Sequence, residues 1–122
     1  MPVSRERIPQ QIIISGVGGQ GVLFLTRLLA QSALDQGLDV ISSETHGMAM
    51  RGGSVVSHVK VGAFHSPLIR SGCADLLLAL DRSHWDLSLH FLHNRGIVFL
   101  NSQSRENMQS SALANRVVIS ID

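Results

Sequence analysis

Three kinds of hydrophobic pattern follow one another along this chain. The first is an unbroken apolar run, Ile12-Ile13-Ile14, within Gln11 to Ser15. Continuous apolar runs of this length mark strands buried on both faces, as central parallel strands are. The second is helical. Val22, Leu25, Leu29 and Ala33 recur on one face, and Phe24, Leu28 and Leu34 widen the apolar surface beyond a single stripe. This predicts a helix from about Gln20 to Gln36, covered on two sides, with Gly37 as its C-terminal cap. Leu38 to Ser43 reads as a second strand, ended by Glu44, and completes a βαβ unit. The third pattern is alternation over Ser54 to Val61. Val55, Ser57, Val59 and Val61 point one way, and Ser54, Val56, His58 and Lys60 the other. It predicts a half-exposed strand, antiparallel or near an edge.

The second half repeats the alternation of strand and helix. Gly62 to Pro67 turns the chain, and Ala74 to Leu80 is another apolar strand. Asp81 or Ser83 caps a predicted helix on which Trp85, Leu89 and Leu92 are spaced i, i+4 and i+7, with Gly96 ending it. Ile97 to Leu100 is a strand, Asn101 to Asn115 a polar loop, and Arg116 to Ile121 a last strand. The polar residues 1–10 read as a flexible lead-in and residues 11–122 as one domain. The fold class is α/β, a three-layer Rossmann-like sandwich on a mostly parallel, mixed sheet. Such a sheet needs cover on both faces, and only two helices are visible. The domain therefore reads as C-terminally short, or as presenting an apolar face to a partner or to a second copy in a homodimer.

Composition narrows the function. Hydrophobic residues make up 44% of the 122 residues and charged residues 16%, which suits a folded domain. The formal net charge is +1 and Lys60 is the only lysine, so there is no basic stripe to grip nucleic acid. Cys73 is the only cysteine, so neither an internal disulfide nor a cysteine-held iron–sulfur cluster is available. The lead-in lacks the apolar core of a signal peptide, and no apolar run is long enough to span a bilayer. A cytoplasmic setting is expected.

The chemistry-bearing stretch is Gly16-Val17-Gly18-Gly19-Gln20-Gly21, a G-x-G-x-x-G turn between strand and helix. Its glycines permit a tight turn, close approach of backbone to a phosphate, and helix–strand packing. Free amides at the helix start favour an anionic group. Gly16, Gly18, Gly19 and Gly21 are thus candidates to cradle a phosphate or a CoA-like ligand, with Gln20 at its mouth; the plainer reading is a turn that only packs the helix. Glu44 and Asp39 stand near the distance at which an acidic residue binds a ribose, though acidic residues at strand ends are common.

The stretch Thr45 to Gly53 has no periodicity and holds three glycines, Gly47, Gly52 and Gly53, which points to unusual backbone angles or a close approach. Arg51, permanently charged, suits a carboxylate, a phosphate or a subunit interface. Met48 and Met50 suit adaptable contacts with a partner. His46 has no visible acid–base partner and reads as structural, and His58 as hydrogen-bonded or on the surface. His90 and His93 lack a third ligand for a metal, Cys73 lacks a base to activate it, and Ser54 and Ser57 have no triad around them. No catalytic and no metal-binding residue is assigned.

The stretches Ile14 to Val22 and Glu44 to Val59, together with Pro67-Leu68-Ile69 and Ala74 to Leu80, resemble the gamma subunit or domain of 2-oxoacid:ferredoxin oxidoreductases. The His46-Gly47-Met48 sequence is most similar to the small subunit of the indolepyruvate enzymes. The resemblance covers residues 11–101. It implies an accessory subunit of an oxidoreductase that acts on an oxo group, decarboxylates a 2-oxoacid such as indolepyruvate or pyruvate to an acyl-CoA, and passes electrons to ferredoxin. It also implies that the isolated chain is inactive. Thiamine diphosphate and iron–sulfur clusters would sit on the catalytic partner subunit, because this chain has neither a cysteine set nor a Gly-Asp-Gly thiamine signature. The loop Glu44, His46, Gly47, Met48, Arg51, Gly52, Gly53 and Ser54 would face that partner or help hold CoA. Two alternatives stand beside it: a free-standing nucleotide- or CoA-binding module, and a purely structural interaction domain.

Overall fold

Ile13 and Ile14 are both fully buried, on opposite faces of strand β1 (Gln10–Val17), and the molecule is built outward from that strand. The computed structural model describes residues 10–17, 21–46, 54–81, 85–101 and 117–121. Helix α1 (Val22–Asp35) follows, then β2 (Val40–His46), β3 (Ser54–Val61), β4 (Ala74–Ala79), a 3₁₀ helix (Trp85–Phe91), β5 (Leu92–Asn101) and β6 (Val117–Ile121). The strands form one sheet in the order β2-β3-β1-β4-β5-β6.

The sheet is mixed. β3 lies antiparallel between β1 and β2, with His58 opposite both Ile13 and Ser43. From β1 onward the pairs are parallel, through Ile13↔Leu77, Leu77↔Val98 and Val98↔Val118. The chain thus leaves β1 in both directions. α1 packs over Ile12, Ile14, Val55 and Val59, whereas Leu89 of the 3₁₀ helix packs with Ile13, Leu77 and Val98 on the other face. Right-handed crossovers going opposite ways across a sheet must cover opposite faces, as these do.

The helix is well specified at its end. Gly37 has φ 78°, its N–H donates to the Leu34 carbonyl at 2.9 Å, and Leu38 N–H donates to the Ala33 carbonyl at 3.0 Å. That pair of bonds is a Schellman cap, and glycine takes the left-handed position without steric cost. Thr26 ties the helix to the sheet. Its hydroxyl donates to the Val22 carbonyl at 2.8 Å and shares a hydrogen bond with the buried Ser57 hydroxyl, 2.7 Å away.

The structure corrects four expectations. β3 is not half exposed: His58 and Lys60 are 3% and 6% exposed, because β3 is an inner strand and its second face is also covered. β2 does not end at Glu44 but runs on through Thr45 and His46, held by pairing with β3. The helix expected around Trp85 to Leu92 is a short 3₁₀ helix, and Leu92 already begins β5, opposite Ala74. Gly96 therefore sits inside a strand; a Cβ there would collide with the buried Leu92 side chain. Finally, among the described residues α1 is covered on one side only, and Leu23, Phe24, Leu28 and Leu34 are exposed, Phe24 by 70%. The expected loop from Asn101 to Asn115 lies outside the described residues apart from Asn101, which ends β5.

Candidate functional site

The glycine turn leads from β1 into α1, as its spacing predicts. Gly16 is buried near the end of β1, and Gly21 stands just before the helix with φ 89°, a conformation that strains any other residue. The first helical bond runs from Leu25 N–H to the Gly21 carbonyl at 2.9 Å. Among the described residues no side chain caps the helix start, and the first turn carries no acidic residue. The first amides and the positive end of the helix dipole are thus left for another acceptor. Gly18, Gly19 and Gln20 lie outside the described residues.

Register brings the second candidate stretch to the same edge of the sheet. Val17 pairs with Ser54, and His46 with Val55, so the end of β1, the end of β2 and the start of β3 lie side by side. β1 and β2 are not neighbours, however; β3 is inserted between them. Glu44 and Ser54 are exposed there, and the Thr45 hydroxyl donates to the Val56 carbonyl at 3.4 Å. Gly47, Met48, Met50, Arg51, Gly52 and Gly53 lie outside the described residues. Asp39 is not brought to this edge. It precedes β2 at the opposite end of that strand, where its carbonyl accepts from Gly62 N–H at 2.8 Å.

A cleft of about 130 Å³ opens beside these strand ends, on the face away from α1. Ser15 and Gly16 of β1, Ser54 of β3, Asp81 just beyond β4, and Ser88, His90 and Phe91 of the 3₁₀ helix line it. Sequence reasoning passed over Ser15 and Ser88 and took Asp81 only as a helix cap. The available signal was alternation: Ser15 shares the face of Ile13, so a polar side chain was bound for the interior there.

His58 has a structural role. Buried His58 accepts a hydrogen bond at Nδ1 from Ile69 N–H at 3.1 Å, and its ring meets Phe91 edge-on at 5.2 Å. Burial first, and the Lys60 ammonium second, push its pKa below the ordinary 6.5, so it is neutral at pH 7. Lys60 Nζ lies 5.1 Å from the centre of the Phe64 ring. His90 belongs to the 3₁₀ helix and His93 to β5, so the two lie on different elements. Among the described residues no three His, Cys, Asp or Glu gather to hold a metal ion. Cys73 is half-buried against the core of that face. Among the described residues no helix is long and apolar enough to cross a membrane.

The family model for pyruvate ferredoxin/flavodoxin oxidoreductase matches residues 11–122. The chain belongs to this family. It is 44% identical, over 92 residues, to indolepyruvate oxidoreductase subunit IorB of Archaeoglobus fulgidus, a match covering 75% of this chain and 46% of that one. With the IorB subunit of Thermococcus kodakarensis it shares 36% identity over 101 residues, covering 82% and 50%. The chain thus spans about half the length of these curated relatives. Among solved structures, the gamma subunit of the keto/oxoacid ferredoxin oxidoreductase of Geobacter sulfurreducens superposes with a TM-score of 0.71 at 25% identity, covering 92% of this chain and 60% of that one. Pyruvate oxidoreductase subunit PORC of Thermotoga maritima has the same fold, with a TM-score of 0.69 at 20% identity over 93% and 62% of the two chains.

For this oxidoreductase-family domain the described residues hold two candidate features. One is the uncapped start of α1 beneath the glycine turn, and the other is the hydroxyl-lined cleft on the opposite face.

Proposed function

We propose that the chain is the accessory, gamma-type portion of a 2-oxoacid:ferredoxin oxidoreductase, with indolepyruvate the favoured substrate class. The observation that carries this reading is the 44% identity to an indolepyruvate oxidoreductase subunit. The complex decarboxylates the 2-oxoacid to an acyl-CoA, with an iron–sulfur protein such as ferredoxin as acceptor. In this reading thiamine diphosphate and iron–sulfur clusters sit on the catalytic partner, in keeping with the single cysteine, Cys73, of this sequence. The exposed apolar side chains of α1 offer a surface for that partner, and the Met48 to Arg51 sequence is read as a further contact with it.

The test is affinity capture of the chain from its native extract, with co-purifying proteins identified and thiamine diphosphate and iron quantified. A large partner carrying both is expected, and Arg51→Ala should weaken its capture at least several-fold while leaving the fold intact. A chain that comes down alone overturns the reading, and unchanged capture by Arg51→Ala removes Arg51 from the interface.

The uncapped α1 start favours a second reading, in which Gly16 to Gly21 hold the phosphates of CoA or another nucleotide. A thermal-shift panel of CoA, NAD and FAD tests it. Stabilisation by one of them, abolished in Gly18→Val, supports it, and no shift from any of them counts against it.

A further inference from the structure

Four of the six large hydrophobic side chains exposed among the described residues lie on α1: Leu23, Phe24, Leu28 and Leu34. The same helix exposes Arg27, Gln31 and Asp35. At about 100° per residue, all seven fall within roughly 80° of Gln31 around the helix axis. Buried Val22, Thr26 and Ala33 lie on the opposite side, toward the sheet. The open face is thus one continuous strip that mixes leucines with two charges, and Arg27 and Asp35 are the only charged residues of the helix.

That strip is its own complement. Three residues from Gln31 in either direction stands a leucine, Leu28 or Leu34, each about half exposed. Four residues away stands a charge, Arg27 on one side and Asp35 on the other. A two-fold axis through Gln31 packs two copies of α1 antiparallel, and residues equally far from Gln31 then face each other. Leu28 meets Leu34 of the second copy, and Arg27 meets its Asp35; the symmetry repeats both pairs. A parallel pairing in register would set arginine on arginine and aspartate on aspartate, so the charges select the antiparallel one.

The two charges are poised for this use. Asp35 Oδ1 accepts a hydrogen bond from Gln31 Nε2 at 2.9 Å, which orients the carboxylate and leaves Oδ2 for a cation. Among the described residues no ion pair engages Arg27. Within one helix the two charges stand eight residues apart, about 12 Å along the axis, and cannot pair with each other. An occupant of this face must bring apolar side chains flanked by an anion and a cation at the spacing of the strip, and another copy of α1 brings them.

We propose that α1 is a self-association surface, on which two copies of this chain pair through antiparallel helices about an axis at Gln31, with Arg27–Asp35 ion pairs at both ends of the leucine contact. A contact of one helix per copy is at the small end of protein interfaces, so the dimer is reversible, with a dissociation constant of roughly 1–100 μM. The inference does not rest on the subunit reading, in which the same face meets the catalytic partner: the two occupants exclude each other, and self-association belongs to the chain without that partner.

The experiment is sedimentation equilibrium of the full 122-residue chain from about 1 to 500 μM, a span that brackets such affinities. A monomer–dimer equilibrium is expected. Leu28→Ser should raise the dissociation constant at least about tenfold by removing a central apolar contact. Arg27→Asp should do the same by setting carboxylate against carboxylate. Combining Arg27→Asp with Asp35→Arg reverses both ion pairs and should return the constant to within about threefold of the parent. All three positions are exposed, so circular dichroism should show the fold unchanged in each variant. A chain that stays monomeric throughout, a dimer indifferent to Leu28→Ser, or a double variant no tighter than Arg27→Asp alone each overturns the proposal. A monomeric chain that still captures the catalytic partner would overturn this proposal and leave the subunit reading standing.

Discussion

One face of the sheet lies under a 14-residue helix, and the opposite face under a 3₁₀ helix and the irregular chain around Ile69. The helix satisfies its own backbone, so the contact it makes with the sheet is nearly all apolar, with the Thr26–Ser57 hydroxyl pair as its polar link. The irregular chain cannot do the same. It takes a side chain of the sheet, His58, to accept the Ile69 N–H, and it leaves a crevice at the strand ends. Covering a sheet with non-helical chain therefore draws polar groups into the core. It is on this face that the buried histidine and the unpaired Ser15 hydroxyl are found.

The sharpest way to break this comparison is to remove equal volume from the two faces. Ile13 and Ile14 are adjacent, chemically identical and fully buried, one on each face. Ile14→Ala and Ile13→Ala should each lower stability in urea unfolding by about 2–5 kcal/mol, the range for large-to-small changes in well-packed cores. A loss for Ile13→Ala well below that of Ile14→Ala would show the irregular face to be loosely packed.

A smaller effect probes the polar link of the helical face. Thr26→Val keeps the shape but leaves the buried Ser57 hydroxyl without its 2.7 Å partner. It should cost about 1–3 kcal/mol, and adding Ser57→Ala should recover part of the loss, because no unpaired hydroxyl then remains. Equal stability of the single and double variants would mean that Ser57 finds another partner.

The same contrast decides what could be read from the residues alone. α1 was legible because Val22, Leu25, Leu29 and Ala33 repeat at the helical period, and Gly37 marks its end. β1, β3 and β4 were legible from unbroken or alternating apolar runs. The Trp85–Leu89–Leu92 spacing misled, because a helical period over two turns does not exclude a 3₁₀ helix running into a strand. His58 and Lys60 misled as polar positions of an alternating strand. Their burial follows from β3 being inserted between β1 and β2, a non-local fact of topology. For the site, the glycine turn was legible, and register then supplied what spacing could not, that Ser54 stands beside Val17. The cleft joins residues from two strands, the segment just beyond β4 and the 3₁₀ helix, and such a constellation has no linear signature.

The finest test of the irregular face is its pH dependence. Burial and the neighbouring Lys60 ammonium depress the pKa of His58 below the ordinary 6.5, and its Nδ1 must stay unprotonated to accept the Ile69 N–H. Below pH 6.5 the unfolded chain therefore binds a proton at this residue more readily than the folded chain does. Stability then rises with pH in that window. The contribution of His58 is present in full above its unfolded pKa and is lost as pH falls through 6.5 toward the lower folded value. His58→Gln retains a side-chain acceptor but does not titrate, so unfolding measured from pH 7.5 down to 5 should show a shallower decline than in the parent chain. Parallel declines would mean that protonated His58 is accommodated, and that this face is held by its apolar contacts, as the helical face is.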